Sequence, residues 1–334
     1  MRAVVLPEYQ GNIVRALRSL QLKELDMPVL QPDELLVSIA AAPCNPSDLA
    51  FIQGGYNVRK SLPAIPGFEG TGTVVDAGSA ALLHQYKGKN VSFFSQSDRG
   101  GSWASHIPVK ATDCLLLRDG MPPEQAACFA VNPFTAFAMV ELATQQGAKA
   151  IVQNAAGGQV AQFITKLASL QGLKVINIVR KEEQWKRMKD EGDNHVLWQL
   201  EVDFDNQLHA LAGDLQAGLA FDAVGGELSG QILSALPEGG TLYLYGALGA
   251  RTLSGIPAGD VIFRRKSVRG FNMNEWKESL TKDGFENISS RLQEHFITGT
   301  LQTNIQTSFK LSEFNDALMH YIRNMSGGKV LMMP

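Results

Sequence analysis

Few cysteines, no long apolar run and no excess of one charge limit what this 334-residue chain can be. The three cysteines, Cys44, Cys114 and Cys128, are odd in number and form no C-x-x-C pair, which argues against a disulfide framework and a zinc lobe. We therefore expect a reducing compartment, the cytoplasm. The first ten residues lack the apolar stretch of a signal peptide, and no segment is apolar over a length that crosses a bilayer.

The charge balance is close to neutral, with 30 basic and 33 acidic residues and a net charge of −3. Nucleic-acid binders normally carry a basic excess or a basic stripe. We therefore expect a small-molecule substrate as partner, and neither a nucleic acid nor a membrane. A hydrophobic content of 45% supplies a substantial core, and the length favours more than one domain.

The residue composition and the secondary-structure pattern of the chain change at two places. Residues 1–122 combine short apolar runs, such as 34–40 and 90–94, with frequent proline, which predicts a mostly β domain. Residues 123–271 alternate strand and helix patterns, which predicts an α/β domain with a doubly wound parallel sheet. Residues 272–334 are helix-rich and end in an apolar run at 328–332, which is able to pair with the N-terminal β domain.

The strongest local pattern lies at residues 150–168, where an apolar strand leads through small residues into an amphipathic helix. Ala156, Gly158 and Ala161 stand at the three positions of a dinucleotide fingerprint. Such a turn lets the backbone approach a pyrophosphate, and the helix N-terminus offers N–H groups to it. An ordinary strand–helix turn is the alternative, but the alternating region that follows favours a cofactor site. The residues predicted to bind there are Gly157, Gly158, Gln159 and Val160.

Two cations follow the next predicted strand. Arg180 stands 22 residues after Gly158, near the position where NAD enzymes carry an acidic residue that binds the ribose 2′-hydroxyl. A guanidinium holds a 2′-phosphate in bidentate geometry, so Arg180 and Lys181 favour NADPH over NADH. The alternative is that both are solvated charges at the start of a helix. Ligands of open α/β sheets bind beyond the carboxyl ends of the strands, which adds Gly246, Ala247, Phe271 and Met273 to the predicted cofactor site.

Several short motifs, in their order and spacing, resemble those of the medium-chain dehydrogenase/reductase superfamily over nearly the whole chain. They are NPSD at 45–48, PGFEGTG at 66–72, NPFTA at 132–136, the phosphate loop, FDAVGG at 221–226 and GKVL at 328–331. The resemblance implies a GroES-like catalytic domain (1–122 and 272–334), a Rossmann NADPH-binding domain (123–271) and a homodimer. Zinc-dependent members carry Cys and His where this chain has Asn45 and Phe68, so the resemblance is to zinc-free members and no metal is expected.

Zinc-free members of the superfamily include 2-enoyl thioester reductases and quinone oxidoreductases. The segment FIQGGY at 51–56 looks like the enoyl reductase segment that carries its catalytic tyrosine, here Tyr56. The resemblance therefore implies an NADPH-dependent reductase of an activated C=C bond, in a 2-enoyl thioester or an enone, with Tyr56 as general acid. The alternatives are an NADPH:quinone oxidoreductase in which Tyr56 only lines the pocket, and a non-catalytic, crystallin-like NADPH-binding protein.

Four further residues take roles from the resemblance, each beside a structural alternative. Asn45 is expected near the nicotinamide, where it orients Tyr56 or the substrate carbonyl, or else forms an Asx-turn with the following proline. Thr135 contacts the nicotinamide amide or caps a helix. Trp276 lines the acyl pocket or belongs to the core, and Lys329 reaches the cofactor phosphates or is a surface residue.

Overall fold

The computed structural model describes all 334 residues, and its backbone contacts divide them into two compact units. The first unit comprises Met1–Asn132 and Asp283–Pro334, and the second comprises Pro133–Lys282. The domain boundaries predicted from the sequence, after residues 122 and 271, stay a prediction.

The first unit is built mainly of strands with short helices between them. Its strands are β1 (Arg2–Val5), β2 (Gln21–Glu24), β3 (Glu34–Pro43), β4 (Glu69–Ala77), β5 (Asn90–Phe94), β6 (His106–Lys110), β7 (Cys114–Leu116), β14 (Ile305–Lys310) and β15 (Lys329–Met333). Its helices are α1 (Ile13–Ser19), α2 (Pro46–Ile52), α3 (Ala80–Tyr86), α4 (Pro123–Ala127), α12 (Lys282–Ile297) and α13 (Phe314–Arg323).

Strand β3 is the centre of the main sheet of this unit. The strand order is β14-β15-β3-β4-β5-β7, and β6 also pairs with β3. Because neighbours cover β3 on both edges, its apolar run is buried along most of its length. The C-terminal strand β15 pairs antiparallel with β3 through Leu331 and Pro43, which confirms the predicted return of the chain end to the β domain.

The second unit has six strands alternating with helices. The strands are β8 (Ala150–Gln153), β9 (Lys174–Val179), β10 (Val196–Trp198), β11 (Leu219–Asp222), β12 (Thr241–Leu244) and β13 (Ser267–Gly270). The helices are α5 (Asn132–Gln145), α6 (Gln159–Leu170), α7 (Glu182–Asp190), α8 (Phe204–Asp214), α9 (Glu227–Ala235), α10 (Ala258–Ile262) and α11 (Met273–Glu278).

All six strands are parallel, in the order β10-β9-β8-β11-β12-β13. This is the 3-2-1-4-5-6 order of the Rossmann fold, so the predicted doubly wound sheet is confirmed. Central strands of such sheets are covered on both faces, and five of the six residues of β9 are buried accordingly. Helix α6 packs through Ala161, Ile164 and Ala168, which lie on one helical face.

No helix of either unit combines the length and the apolar character needed to cross a bilayer.

Candidate active site

The carboxyl ends of the strands in the second unit bring five loops to one edge of the sheet. Because the strands are parallel and adjacent, the loops after β8, β9, β11, β12 and β13 all leave from that edge. These loops carry the phosphate loop, Arg180, residues 223–226, Gly246 and Phe271. The residues of these loops that were predicted to bind the cofactor therefore lie where ligands of such sheets bind.

The phosphate loop is a tight turn between β8 and α6. Ala155 has φ +49°, a left-handed conformation that is uncommon outside glycine. The turn is closed by the Gly158 N–H, which donates to the Ala155 carbonyl at 2.7 Å, and it is tied to β9 by the Ala156 N–H, which donates to the Ile178 carbonyl at 3.1 Å. The N-cap residue of α6 is Gly158, which has no side chain to cap the helix. The turn therefore fits a pyrophosphate, which accepts hydrogen bonds from a helix N-terminus.

Gly157 lies at the tip of this loop, against a side chain from the following helix. A Cβ at this position would stand 2.2 Å from Nε2 of Gln184, in the first turn of α7. The absence of a side chain at Gly157 thus leaves room for the Gln184 amide beside the phosphate loop.

Buried amide groups lock the ends of β8 and β9 together. Gln153 pairs in register with Asn177, and its Nε2 donates to Asn177 Oδ1 at 2.6 Å and to the Ala161 carbonyl at 3.0 Å. Asn177 Nδ2 in turn donates to Asp193 Oδ2 at 2.8 Å. The strand ends that carry the phosphate loop and Arg180 are therefore fixed by side-chain hydrogen bonds as well as by the backbone hydrogen bonds between β8 and β9.

A second buried set joins β8 to β11. Asn154 Nδ2 donates to Asp222 Oδ1 at 2.6 Å, and Asn154 Oδ1 accepts the Ala223 N–H at 2.8 Å. The same carboxylate accepts the backbone N–H groups of Val224 and Gly225 at 2.7 and 3.0 Å. Asp222 thereby shapes the loop after β11, as a carboxylate that binds successive N–H groups does in turns.

Arg180 and Lys181 are both exposed at the end of β9. The Arg180 backbone is held by Trp198, whose Nε1 donates to the Arg180 carbonyl at 3.1 Å. Neither cationic side chain takes part in an ion pair in the structure. Two cations beside the phosphate loop, at the position where NAD enzymes carry an acidic residue, suit an additional phosphate, although Glu182 and Glu183 follow them in the first turn of α7.

The loops after β12 and β13 complete this edge. A Cβ on Gly246 would stand 2.8 Å from the Ala223 carbonyl oxygen, so the position requires glycine for close approach of two loops. Ala247 follows it and is exposed. The Phe271 N–H donates to the Leu244 carbonyl at 2.9 Å, which fixes the exit of β13.

Helices α5 and α11 carry the remaining candidates of the second unit. Met273 is the first residue of α11, and the half-buried Trp276 of that helix has its ring centroid 6.3 Å from that of Phe137 in α5. Thr135 is buried and is the fourth residue of α5. It therefore does not occupy the capping position considered as its alternative role.

In the first unit, Asn45 is the centre of a buried polar cluster. It precedes α2, whose first residue is proline, as is common at a helix start. The Asn45 N–H donates to Asp48 Oδ2 at 2.8 Å, and Asn45 Nδ2 donates to Glu69 Oε2 at 3.0 Å. The Lys329 ammonium donates to Asn45 Oδ1. Lys329 is thus a buried residue, and the surface alternative for it is wrong.

Burial dominates the acid–base properties of this cluster. It raises the pKa of Asp48 to about 7, against the hydrogen bond from Asn45 and the positive charge of Lys329. It also raises the pKa of Glu69, which Lys329 and the Asn45 amide oppose. Asp48 Oδ1 has no hydrogen-bond partner although it is buried. Asp48 is therefore able to change its protonation state near neutral pH.

Tyr56 lies on the loop after α2 and is half-buried. Its ring packs on Phe68, with centroids 5.4 Å apart, and its hydroxyl oxygen accepts a hydrogen bond from Gln96 Nε2 at 3.2 Å. Burial raises the pKa of Tyr56, the charge of Asp48 raises it further, and the Gln96 hydrogen bond lowers it. Tyr56 is consequently a neutral phenol at physiological pH.

The two positions at which zinc-dependent members carry ligands are engaged in other contacts. Asn45 bonds to Glu69 and Lys329, and Phe68 packs edge-on against Phe51 with centroids 5.2 Å apart. No group of three or more His, Cys, Asp and Glu side chains is arranged to hold a metal ion.

Sequence reasoning named Asn45, Lys329 and Tyr56 separately and missed what joins them to their neighbours. Asp48 and Glu69 stand inside the quoted NPSD and PGFEGTG motifs, so those motifs pointed to them. Gln96 belongs to no motif, and nothing in the sequence singles it out.

Comparison with known proteins gives the family. The model of the alcohol dehydrogenase GroES-like domain matches residues 31–119, and that of zinc-binding dehydrogenases matches residues 160–290. The mitochondrial enoyl-[acyl-carrier-protein] reductase of Rattus norvegicus is 30% identical over 314 residues, which are 92% of this chain and 83% of the relative.

Solved structures agree with this assignment. A protein from Mesorhizobium loti, assigned provisionally as an NADPH:quinone reductase, superposes with a TM-score of 0.93 at 30% identity, covering 100% of this chain and 98% of that one. A mutant enoyl thioester reductase from Candida tropicalis has a TM-score of 0.78 at 21% identity, with coverage of 100% and 99%, and supports the fold alone.

These relatives disfavour the non-catalytic alternative, because they are described as enzymes. The GroES-like and Rossmann domains implied by the motifs are confirmed by the two family models. The chain therefore belongs to the medium-chain dehydrogenase/reductase superfamily and is an oxidoreductase of its enoyl and quinone reductase type, with a nicotinamide cofactor.

Proposed function

We propose that the protein is an NADPH-dependent reductase of an activated C=C bond, in a 2-enoyl thioester or an enone. The observation that carries the proposal is the state of Tyr56, a half-buried phenol that is held at its oxygen by Gln96 and remains protonated at neutral pH. A neutral acid is the group that C=C reduction needs after hydride addition, whereas quinone reduction has no strict need for an acid at this position.

When bound, the reduced nicotinamide supplies the hydride that adds to the β-carbon and is itself oxidised. The electron pair of the C=C bond moves toward the carbonyl, which leaves an enolate of the substrate. Tyr56 then donates its Oη proton to the α-carbon, which completes the saturated product. The tyrosinate recovers a proton from solvent, so charge and atoms balance over the cycle.

The cofactor assignments follow the loops of the second unit. We assign the pyrophosphate to Gly157, Gly158, Gln159 and Val160 at the start of α6, supported by the tight turn and by the glycine at the N-cap of α6. We assign the 2′-phosphate to Arg180 and Lys181, supported by their exposure and lack of ion pairs. The nicotinamide half is assigned to Thr135, Gly246, Ala247, Phe271 and Met273, and the acyl group to Trp276.

Asn45 and Lys329 remain candidates from the first unit. The amide of Asn45 is held on both sides, by Glu69 and by Lys329, so its orientation is fixed. We propose that Asn45 presents this fixed amide to the nicotinamide or to the substrate carbonyl. The burial of Lys329 supports a role in orienting Asn45, beside the phosphate contact predicted from the resemblance.

An NADPH:quinone oxidoreductase is the second candidate. Its support is the 30% identity to the Mesorhizobium loti protein, which is assigned provisionally to that activity. In this alternative Tyr56 shapes the pocket and transfers no proton.

We further propose a cytoplasmic homodimer that pairs the edge strands β13 of two copies. The support is an apolar stretch at the end of α10, three residues before β13, where Val261, Ile262 and Phe263 are 48%, 64% and 78% exposed. Size-exclusion chromatography with light scattering of wild type and Phe263→Asp tests this proposal. A dimer that becomes monomeric on substitution is expected, and a monomeric wild type contradicts it.

The deciding experiment for the reaction follows NADPH oxidation with a 2-enoyl thioester and with a small quinone. Wild type, Tyr56→Phe and Tyr86→Phe are compared, because Tyr86 lies in the same unit and has no assigned role. We expect enoyl turnover that falls at least about 100-fold in Tyr56→Phe, the contribution of a general acid, with NADPH binding kept. Quinone turnover that survives in Tyr56→Phe, without enoyl turnover in any protein, would establish the second candidate instead.

A further inference from the structure

We infer that Gln96 is a positioning residue that sets the direction in which Tyr56 donates its proton; the inference rests on the proposed function. Gln96 Nε2 donates to the Tyr56 hydroxyl oxygen at 3.2 Å. A phenol hydroxyl has one O–H to donate and lone pairs to accept with. Because Gln96 occupies a lone pair as a donor, it leaves the O–H of Tyr56 available for another acceptor.

The position of Gln96 is fixed by the residue that also supports the Tyr56 ring. Gln96 follows β5, and the preceding residue, Ser95, donates its N–H to the Phe68 carbonyl at 2.8 Å. The Phe68 side chain packs against the Tyr56 ring with centroids 5.4 Å apart. The backbone of Phe68 therefore holds the Gln96 loop, and its ring packs on the phenol. One residue thus positions both Gln96 and Tyr56.

Two further contacts join the Tyr56 loop to the Gln96 loop. Asp98 accepts hydrogen bonds from the Ser61 N–H at 2.6 Å and from Ser61 Oγ at 2.8 Å. The buried Lys60 ammonium donates to the Gly100 carbonyl. These contacts hold the two loops together without touching the phenol. Removing one of them therefore tests the anchoring of the loops separately from the positioning of the Tyr56 proton.

The hydrogen bond has a chemical consequence as well as a geometric one. A donor at Oη stabilises the tyrosinate that forms when the proton leaves, and it thereby lowers the pKa of Tyr56 against the effect of burial. A methionine at position 96 keeps the length of the side chain and removes the donor. A glutamate at this position would accept a hydrogen bond from the Tyr56 O–H and would therefore turn the O–H toward itself.

The test combines a titration with kinetics. The ultraviolet absorbance of each protein is measured as the pH rises, and that of its Tyr56→Phe derivative is subtracted, so that the difference reports the ionisation of Tyr56 alone. The pH is raised by a rapid jump, so that the absorbance is read before any unfolding. We expect the Tyr56 phenolate to appear at higher pH in Gln96→Met and in Gln96→Glu than in wild type. We also expect kcat for the enoyl thioester to fall about 10-fold or more, within the range of general-acid effects, with KM for NADPH unchanged.

Ser61→Ala is the matched control, because it removes a link between the same loops and leaves the phenol contact. It is expected to change neither the titration nor kcat. An unchanged Tyr56 titration in Gln96→Met, or equal effects in Gln96→Met and Ser61→Ala, would overturn the inference. A wild type that has no enoyl turnover overturns the proposed function, and the titration still shows whether Gln96 holds Tyr56.

Discussion

The Lys329 ammonium donates a hydrogen bond to Oδ1 of Asn45, a residue 284 positions earlier in the chain. Glu69 accepts from the other end of the same amide, and all three side chains are buried. The cluster therefore connects the last strand of the chain, the start of α2 and the start of β4. A buried cation and a buried carboxylate tolerate this environment because the amide and the opposite charge compensate for lost water.

Lys329→Met tests the energetic role of this cluster. Removing the cation leaves the buried Asn45 Oδ1 without its donor and the buried Glu69 without the positive charge that lowers its pKa, and a buried polar group that loses its partner costs about 1–3 kcal/mol. Urea unfolding followed by circular dichroism measures the loss. Lys110→Met is the control, since the Lys110–Asp33 pair is exposed on both sides and is expected to contribute about 1 kcal/mol or less. Similar losses in the two variants would contradict a buried charge cluster.

Asp48→Asn tests the pH dependence of stability. In the folded protein Asp48 keeps its proton up to about pH 7, above its ordinary pKa of 3.8. Between these values the folded state binds more protons than the unfolded state, so the free energy of unfolding contributed by Asp48 falls as the pH rises. We therefore expect Asp48→Asn to gain stability relative to wild type between about pH 4 and about pH 7, by on the order of 1–3 kcal/mol.

The measurement for Asp48 is the urea midpoint of both proteins at several pH values across this range. Asp33→Asn, at an exposed carboxylate of the same unit, provides the control and is expected to follow wild type. Parallel stability curves for wild type and Asp48→Asn would show that Asp48 titrates at its ordinary value.

Asn177→Leu tests the amide lock under the phosphate loop. The change removes the 2.6 Å acceptor of Gln153 Nε2, which keeps the Ala161 carbonyl, and the Asn177 donor to Asp193, which keeps the His195 N–H; each lost hydrogen bond contributes about 0.5–1.5 kcal/mol. We expect a lower unfolding midpoint together with weaker binding of NADP⁺, measured by calorimetry. Asn206→Leu, on the exposed part of α8, is expected to leave both unchanged. Loss of stability with full nucleotide affinity would show that the lock does not position the loop.

Arg180→Gln and Lys181→Gln test cofactor choice. Each removes one cation from the proposed 2′-phosphate site, and a charge-assisted hydrogen bond contributes about 1.5–3 kcal/mol, which corresponds to roughly 10- to 100-fold in affinity. We expect Kd for NADPH to rise by this factor while Kd for NADH changes little. Arg187→Gln, at the other end of α7, is the control. An equal loss for both nucleotides would exclude recognition of the 2′-phosphate by these cations.

Local patterns predicted the elements whose residues carry their own periodicity. The apolar run of β9 and the helical spacing of Val160, Ile164, Leu167 and Ala168 led directly to strand β9 and helix α6. Elements with weak periodicity were missed, among them α8 and the partly exposed strand β14. Their place in the fold depends on neighbours far away in the chain, such as β15, with which β14 pairs.

The sequence by itself determined the alternation of strands and helices, the phosphate loop and the pair of cations after β9, because each depends on residues adjacent in the chain. Only the tertiary structure decided that Lys329 meets Asn45 and Glu69, and that Gln96 meets Tyr56. Those contacts require strand pairing in one register and a loop anchored on Phe68. Hydrogen bonds form only within a few tenths of an ångström of their optimal length, and residue spacing along the chain does not specify such distances.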